Sequence, residues 1–529
     1  MRLATPRFGR LIEHLRTSLP TLTPREHRLP ASLHRLNLRR ALKRAVASDT
    51  RFLLFIGPAV ALGLALWMTV PDWGPRPPGG DDTLAHVIRA QFAANHLINH
   101  GRIDGWDPSF IVGYQEFLFD GPGLSWAAYV VRLLTLNTLS ISGAIKVVAV
   151  GSFTLLPVTV AFAARAFGLG RRAAGLSAIL CLMIDSPFGG VGLQGLFGIG
   201  LITNQLGALF FFLSFGGFLR VIRHREARWI VFTGVALCLL TITHGISVMI
   251  LGVTLVIIVV LWVAGLQFPK APALYSRIAT AVREQLAERS STGFAVAGTS
   301  KNMVAKSALE TGIGLERAAD LAANGPGPAF EGSAEISWRP LLGLVKATLL
   351  GLSLSAVVLL PLLAHRDLRG PLSGWTTPSL GQRLLQIWQG QILLRPAMVP
   401  FLLAGALYGL ARIWKARPFA LAVVATPIAF LVLAHTAFHY WPTNLLSMQL
   451  ANRGLGYTGA LAVLPLAALL ARATRPLLLF GDLIAVVAAL LLVLLPMGPE
   501  RQEAQQMPVA VPQMQAAASV LRAVVPPSA

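Results

Sequence analysis

The sequence predicts an all-α polytopic membrane protein with about eleven transmembrane helices, and three observations predict it. Hydrophobic residues fill 54% and charged residues only 13% of the 529 positions, where a soluble domain carries about 25% charged residues. The mean hydropathy is +0.64, and the apolar residues gather into runs of about twenty, the length a helix needs to cross the hydrocarbon core. The Lys and Arg residues behind the net charge of +22 sit mostly in short segments between those runs. That placement follows the positive-inside rule and argues against nucleic acid as the partner of so basic a chain.

Residues 1–51 are Arg-rich, with Pro6, Pro20, Pro24 and Pro30. They read as a basic cytoplasmic arm, of which 35–44 can form a basic helix on an anionic leaflet. The first apolar run, 52–70, lacks a cleavage site and reads as a signal anchor. Further spans fall near 141–164, 172–186, 203–221, 229–243, 245–266, 341–363, 397–413, 418–436, 455–472 and 476–496. Residues 52–496 thus make one transmembrane domain. Thr241 to Gly245 interrupts a long apolar stretch and reads as a tight turn at the membrane surface.

With the N-terminus in the cytoplasm, the inner loops are 165–172, 222–228, 267–340, 414–417 and 472–475. The short ones carry Arg165, Arg171 and Arg172, then Arg223, Arg225 and Arg228, then Lys415 and Arg417, then Arg472 and Arg475. All are basic, as the rule requires. The protein is expected in the cell membrane, multi-pass, with an extracytoplasmic C-terminus. The cytoplasmic insertion 267–340 mixes helix formers with Gly, Ser and Pro and holds no phosphate loop or metal cluster. The Pro- and Gln-rich 497–529 reads as an outer tail, or the stub of a further outer domain. Cys181 and Cys238 lie in apolar runs and read as small hydrophobes.

The polar and aromatic material collects in the first outer loop, 71–140. Gly79-Gly80-Asp81-Asp82 precedes a helix-forming stretch, and Asp82, His86, Arg89, Ala93, His96 and His100 recur at steps of four and three, one face of a helix. Asp is a favoured N-cap. Two in succession let one cap while the other faces a cavity, and capping geometry leans towards Asp82 as the cap and Asp81 as the reactive group. His96 and His100 at i, i+4 suit a metal but lack an evident third ligand. No cofactor is specified, and a divalent cation stays open. Trp106, Tyr114, Phe117 and Phe119 fit an interfacial belt or a sugar-stacking wall. Residues 124–136 read as a second interfacial helix.

This order of features resembles a family. An anchor span is followed by Asp81-Asp82, by the His/Arg helix, by Gly101-Arg-Ile-Asp-Gly105-Trp106-Asp107-Pro108, by an aromatic Gly-Tyr stretch, by a Gly-Pro turn and by a membrane-surface helix. It is similar to the GT-C membrane glycosyltransferases. Within them it looks closest to the bacterial integral membrane group called 6-pyruvoyl-tetrahydropterin synthase-related, a label that names no activity here. The resemblance implies a polyprenyl-phosphate-linked sugar donor and an outer-loop Asp base, a role that falls on Asp81 or Asp82. A second acidic position would be Asp120, although it precedes Gly-Pro where relatives have a Tyr-Pro-type stretch. The implied partners are the lipid-linked donor, membrane lipids and a glycan or lipid acceptor of the cell envelope.

Such a transfer needs a carboxylate to take the acceptor proton, cations or a metal for the departing phosphate, and a groove for the prenyl chain. Candidate outer cations and polar groups are His86, Arg89, His244, Arg366, Arg369, Arg383, Arg395 and Arg453. Arg453 stands at the outer mouth of a span, in Gln449-Leu-Ala-Asn452-Arg453-Gly454-Leu-Gly456-Tyr457, where it can meet phosphate in bidentate fashion or merely anchor a helix end. His244 is a phosphate or hydroxyl partner, or a satisfied turn histidine. Two other classes compete: a lipid or polysaccharide transporter or flippase, which calls for mid-span charges and repeats, and a non-catalytic envelope-assembly scaffold.

Overall fold

The computed structural model describes residues 54–74, 78–80, 82–102, 104–107, 114–117, 121–186, 190–224, 226–263, 339–364, 379–389, 399–411, 445–474 and 478–494. Contacts divide the chain into Met1–Thr50 and Arg51–Ala529, and every described residue belongs to the second unit. The arm 1–51, most of the insertion, the span near 418–436 and the tail 497–529 therefore lie outside the described residues.

The described chain is mostly helical. Helix α1 (Leu54–Thr69) leads through a short 3-10 turn to α2 (Thr83–Phe92). A two-stranded antiparallel ribbon comes after it, β1 (Gly105–Asp107) and β2 (Tyr114–Glu116), with Trp106 opposite Gln115. The all-α class stands for a chain that is mostly helical, with this one ribbon added in the turn-rich link, where Gln115 donates to Asp104 at 3.2 Å. Next come α3 (Gly123–Leu134), α4 (Ile141–Phe167), α5 (Arg171–Leu180), α6 (Ile202–His224), α7 (Ala227–Thr243) and α8 (Gly245–Val263). Beyond the insertion are α9 (Arg339–Leu354), α10 (Ala356–Ala364), α11 (Leu380–Trp388), α12 (Val399–Ala411), α13 (Leu445–Ala473) and α14 (Leu478–Leu494).

Among the described residues, α4 and the Ile202–Ile222 part of α6 are long and apolar enough to cross a membrane. The expected eleven spans are not all found as such. The run 172–186 is helical only to Leu180. A 3-10 turn, Cys181–Met183, comes next, and Ser186 then bridges Val191. Ten helical residues reach about 15 Å, half the thickness of a bilayer core. The run is apolar because protein covers it: every residue from Ala173 to Ser186 is buried. The run 341–363 is broken at Ser355, whose hydroxyl bonds back to Gly351 O at 2.9 Å. The interruption near Thr241 is a real turn. His244 is extended (φ −157°, ψ 93°) between α7 and α8.

The interior is built where α4, α6, α7 and α13 pack. Phe211, Phe212 and Phe215 of α6 are fully buried, and Phe211 stacks on Tyr457 of α13 at 5.3 Å. At one end of this bundle Arg172 pairs with Asp482 and donates to Thr474 at 3.3 Å, tying α5 to α14. The charge of Asp482 is thus matched locally. At the other end lie α2, α3, the ribbon and the α7–α8 turn. Helix α3 buries Leu124 and Ala128 and exposes Val130, Leu133 and Leu134, the two-sided character expected of an interfacial helix.

Candidate active site

The start of α2 is held by backbone packing. Gly80 has φ +105°, and a Cβ there would run into the backbone nitrogen of Gly200, itself at φ +89°. Only glycine lets the two stretches of chain touch in this way. Asp82 N donates to Ile199 O at 2.9 Å, and Thr83 Oγ1 donates to Gly79 O at 2.6 Å. These bonds stitch the helix start without a side-chain cap. Asp82 occupies the N-cap position, makes no capping bond and is exposed. This corrects the capping argument: Asp82 is not consumed as a cap, so nothing favours Asp81 over it. Asp81 and Asp120 lie outside the described residues.

The polar stripe is shorter than the spacing predicts. Helix α2 stops at Phe92, a π-helical turn spans Ala93–Leu97, and a 3-10 turn spans Ile98–His100. The wider π turn rotates the later residues off the stripe. His96 and His100 are exposed, and His100 Nδ1 meets His96 O at 3.0 Å. Arg89 is drawn to the ribbon, where its Nε bonds Glu116 at 2.5 Å. Its guanidinium also lies 5.5 Å from the centre of the Phe117 ring. Glu116 is fully buried, a partner that sequence reading overlooked because β2 was read as a loop. Asp185 accepts from Gln194 N at 2.9 Å and so starts the short helical turn Gln194–Ile199.

His244 and Arg453 meet through Asn204, in the first turn of α6. Arginine has only donors, so the Asn204 carboxamide oxygen must face it. That oxygen accepts from Arg453 Nη1 and, at 3.1 Å, from Nε. The amide nitrogen then donates to His244 Nε2. With Nε2 an acceptor, the neutral ring carries its proton on Nδ1, which lies 2.6 Å from Ser247 Oγ. Ser247 is 2.7 Å from Tyr457 Oη, and Tyr457 donates to the Asn204 carbonyl at 2.8 Å. The bonds form a closed, one-way ring: Asn204 to His244, to Ser247, to Tyr457, and back to Asn204. Gly207 makes the closure possible, since a Cβ there would lie 2.9 Å from Ser247 Oγ and 3.0 Å from Tyr457 Oη.

Electrostatics ties α2 to this ring. His244 is half-buried. Burial first, then the charges of Arg453 and His86, hold its imidazole well below its ordinary pKa, hence neutral. Asp82 is among the charges acting on Arg453. Of the residues singled out by sequence, His244 and Arg453 meet through Asn204, Asp82 and His86 act on them by charge, and Arg89 pairs with the ribbon. Both nitrogens of His244 are engaged within the ring, which is the satisfied-turn arrangement. Asn204, Ser247 and Tyr457 were missed as a group. The available signals were spacing, Ser247 three after His244 and Tyr457 four after Arg453, and a polar Asn204-Gln205 pair opening an apolar helix.

Among the described residues no group of three or more His, Cys, Asp or Glu stands close enough to hold a metal.

No protein-family model matches the chain, and no curated protein matches it either. Several solved structures are similar in part. The oligosaccharyltransferase of Archaeoglobus fulgidus in its apo form gives a TM-score of 0.49 at 16% identity, over 87% of this chain and 56% of that one. The same organism's AglB, in complex with an inhibitory peptide and a dolichol-phosphate, gives 0.47 at 17% identity over 85% and 56%. ArnT from Cupriavidus metallidurans in its apo state gives 0.27 at 15% identity over 81% and 79%. The chain spans about half the length of the oligosaccharyltransferase chains.

Proposed function

We propose that the chain is a GT-C-type membrane glycosyltransferase, akin to the bacterial 6-pyruvoyl-tetrahydropterin synthase-related membrane group. It moves a sugar from a polyprenyl-phosphate donor to a cell-envelope acceptor on the extracytoplasmic face. The observation that supports this reading is one pairing. A carboxylate at the start of α2, Asp82, stands within electrostatic range of a cation on α13, Arg453, and that cation's fork is oriented by Asn204.

Asp82 accepts the proton of the acceptor hydroxyl as the new bond forms from that oxygen to the anomeric carbon. The bond from the anomeric carbon to the donor phosphate breaks, and its electron pair leaves with the phosphate. Arg453 meets the growing negative charge with guanidinium N–H groups that Asn204 does not use. A neutral His244 leaves Nε2 able to accept from the Asn204 amide, which keeps the Asn204 oxygen on Arg453. Asp81 shares the candidacy for the base.

The test is to purify the full chain, reconstitute it in vesicles with pooled polyprenyl-phosphate sugars, and measure release of polyprenyl phosphate. Asp82→Asn is expected to lower turnover by about 10²-fold or more, the range of general-base catalysis, with the protein folded normally. Full turnover in both Asp82→Asn and Asp81→Asn would sink the proposal.

A further inference from the structure

Away from Arg453, about 24 Å further along α6 than Asn204 at 1.5 Å per residue, arginines of several helices gather around one indole. Trp229, in the first turn of α7, has two guanidiniums over its ring. The centre of the Arg220 group is 5.3 Å from its ring centroid and that of Arg228 is 5.5 Å. Phe162 of α4 closes on the same indole at 6.2 Å. Arg165 stands one turn further along α4, within range of the charges of Arg171 and Arg220.

The cluster is not neutralised from within. Of these four arginines only Arg228 forms an ion pair among the described residues, with Glu226. Arg220 shares a bond with His224 Nε2 at 3.1 Å, and Arg165 donates to Leu169 O at 2.5 Å. Two buried donors have no partner among the described residues, Nε of Arg220 and Nε1 of Trp229. Arginines that only set orientation need charge and no particular geometry. Here like charges gather round an indole and two buried donors are left over, an arrangement that an anion completes.

We propose that this cluster binds the phosphate of an anionic phospholipid headgroup, with Arg165, Arg220, Arg228 and Trp229 Nε1 as its donors. A guanidinium presents a planar fork to phosphate oxygens. Basic recesses between helices at a membrane face hold such headgroups. The distance from the Asn204 ring approaches the thickness of a hydrocarbon core, about 30 Å, which sets the cluster at headgroup level.

The experiment reconstitutes the full chain in phosphatidylcholine nanodiscs with a minority of phosphatidylglycerol. The protein is then extracted in mild detergent, and the retained lipid is counted by mass spectrometry. The wild-type chain is expected to retain phosphatidylglycerol above its share of the disc. The double variant Arg165→Gln/Arg220→Gln should lose roughly tenfold of that preference, equivalent to about 1.4 kcal/mol. Trp229→Phe keeps an aromatic ring and removes the N–H, and should lose part of the preference without unfolding. Arg102→Gln, an exposed charge in the first loop, should change nothing. Retention at the disc's own composition, or an equal loss in Arg102→Gln, overturns the proposal. Displacement of the lipid by soluble glycerol phosphate overturns the lipid as the source of the bound phosphate.

Discussion

Asn204 grips Arg453 through its carboxamide oxygen because its amide nitrogen is committed to His244. An isosteric change tests whether that polarity matters. In Asn204→Asp a carboxylate faces both neighbours. It neutralises Arg453 and draws a proton onto His244. The expected result is a rise of about 10- to 100-fold in donor KM, the worth of a charge-assisted bond, with a smaller change in kcat. Steady-state kinetics with the reconstituted chain reads the split. An unchanged KM would mean that Arg453 does not meet the donor.

The ring also predicts a pH dependence of stability. His244 is held neutral in the fold, below its usual 6.5, by burial first and then by Arg453 and His86. In the unfolded chain it protonates near its ordinary value. Between that value and the lowered folded one the unfolded state binds the extra proton, so stability falls as pH falls below about 6.5, by up to about 1.4 kcal/mol per pH unit. Thermal melts at pH 7.5 and 5.5 should show a drop for the wild-type chain. The drop should shrink in His244→Gln, which has no such proton to take up. Equal drops in both would place the effect elsewhere.

Much of this arrangement was legible in the sequence, for physical reasons. Runs such as 141–164 and 203–221 became long helices because an apolar run of that length has few other ways to satisfy its backbone in oil. Thr241 to Gly245 broke the run where a turn stands. The run 172–186 misled because hydropathy records that a residue is buried, not whether lipid or protein buries it. The stripe from Asp82 to His100 misled beyond Phe92 because a π turn changes the period without changing composition. Glu116 was hidden in an aromatic stretch whose strand pairing is non-local. Asn204 was hidden for the same reason: its partners lie in the α7–α8 turn and on α13, some 40 and 250 residues away in sequence, and no local pattern joins them.

Breaking the ring at Tyr457 should separate its support of Arg453 from simple packing. Tyr457→Phe keeps the stack on Phe211, 5.3 Å between centroids. It removes the donor to Asn204 O and the partner of Ser247. The expected cost is about 1–3 kcal/mol, the penalty for leaving buried polar groups unmade. Ser247→Ala added to Tyr457→Phe should cost less than the sum of the two single changes, because the hydroxyl it removes is already stranded. Chemical denaturation of the three variants decides this, and strict additivity would show that the ring does not act as a unit.

Arg89 offers a last discrimination, because the sequence reads it as a donor-binding cation and the fold sets it against a carboxylate. Glu116 is fully buried and Arg89 bonds it at 2.5 Å. Removing one member of such a pair costs about 3–5 kcal/mol, since the other charge stays in a poor solvent, while removing both costs far less. Arg89→Met should therefore lower folded yield and thermal stability sharply, and Arg89→Met/Glu116→Gln should recover most of the loss. Activity then separates the two roles. If Arg89 only holds the ribbon to α2, the double variant turns over with a donor KM near that of the wild type. If Arg89 also meets the donor phosphate, the double variant folds but its KM stays high. Measuring melting temperature and KM on the same preparations distinguishes these outcomes, and the geometry favours the first: Arg89 Nε bonds Glu116 and the guanidinium lies 5.5 Å from the Phe117 ring centre.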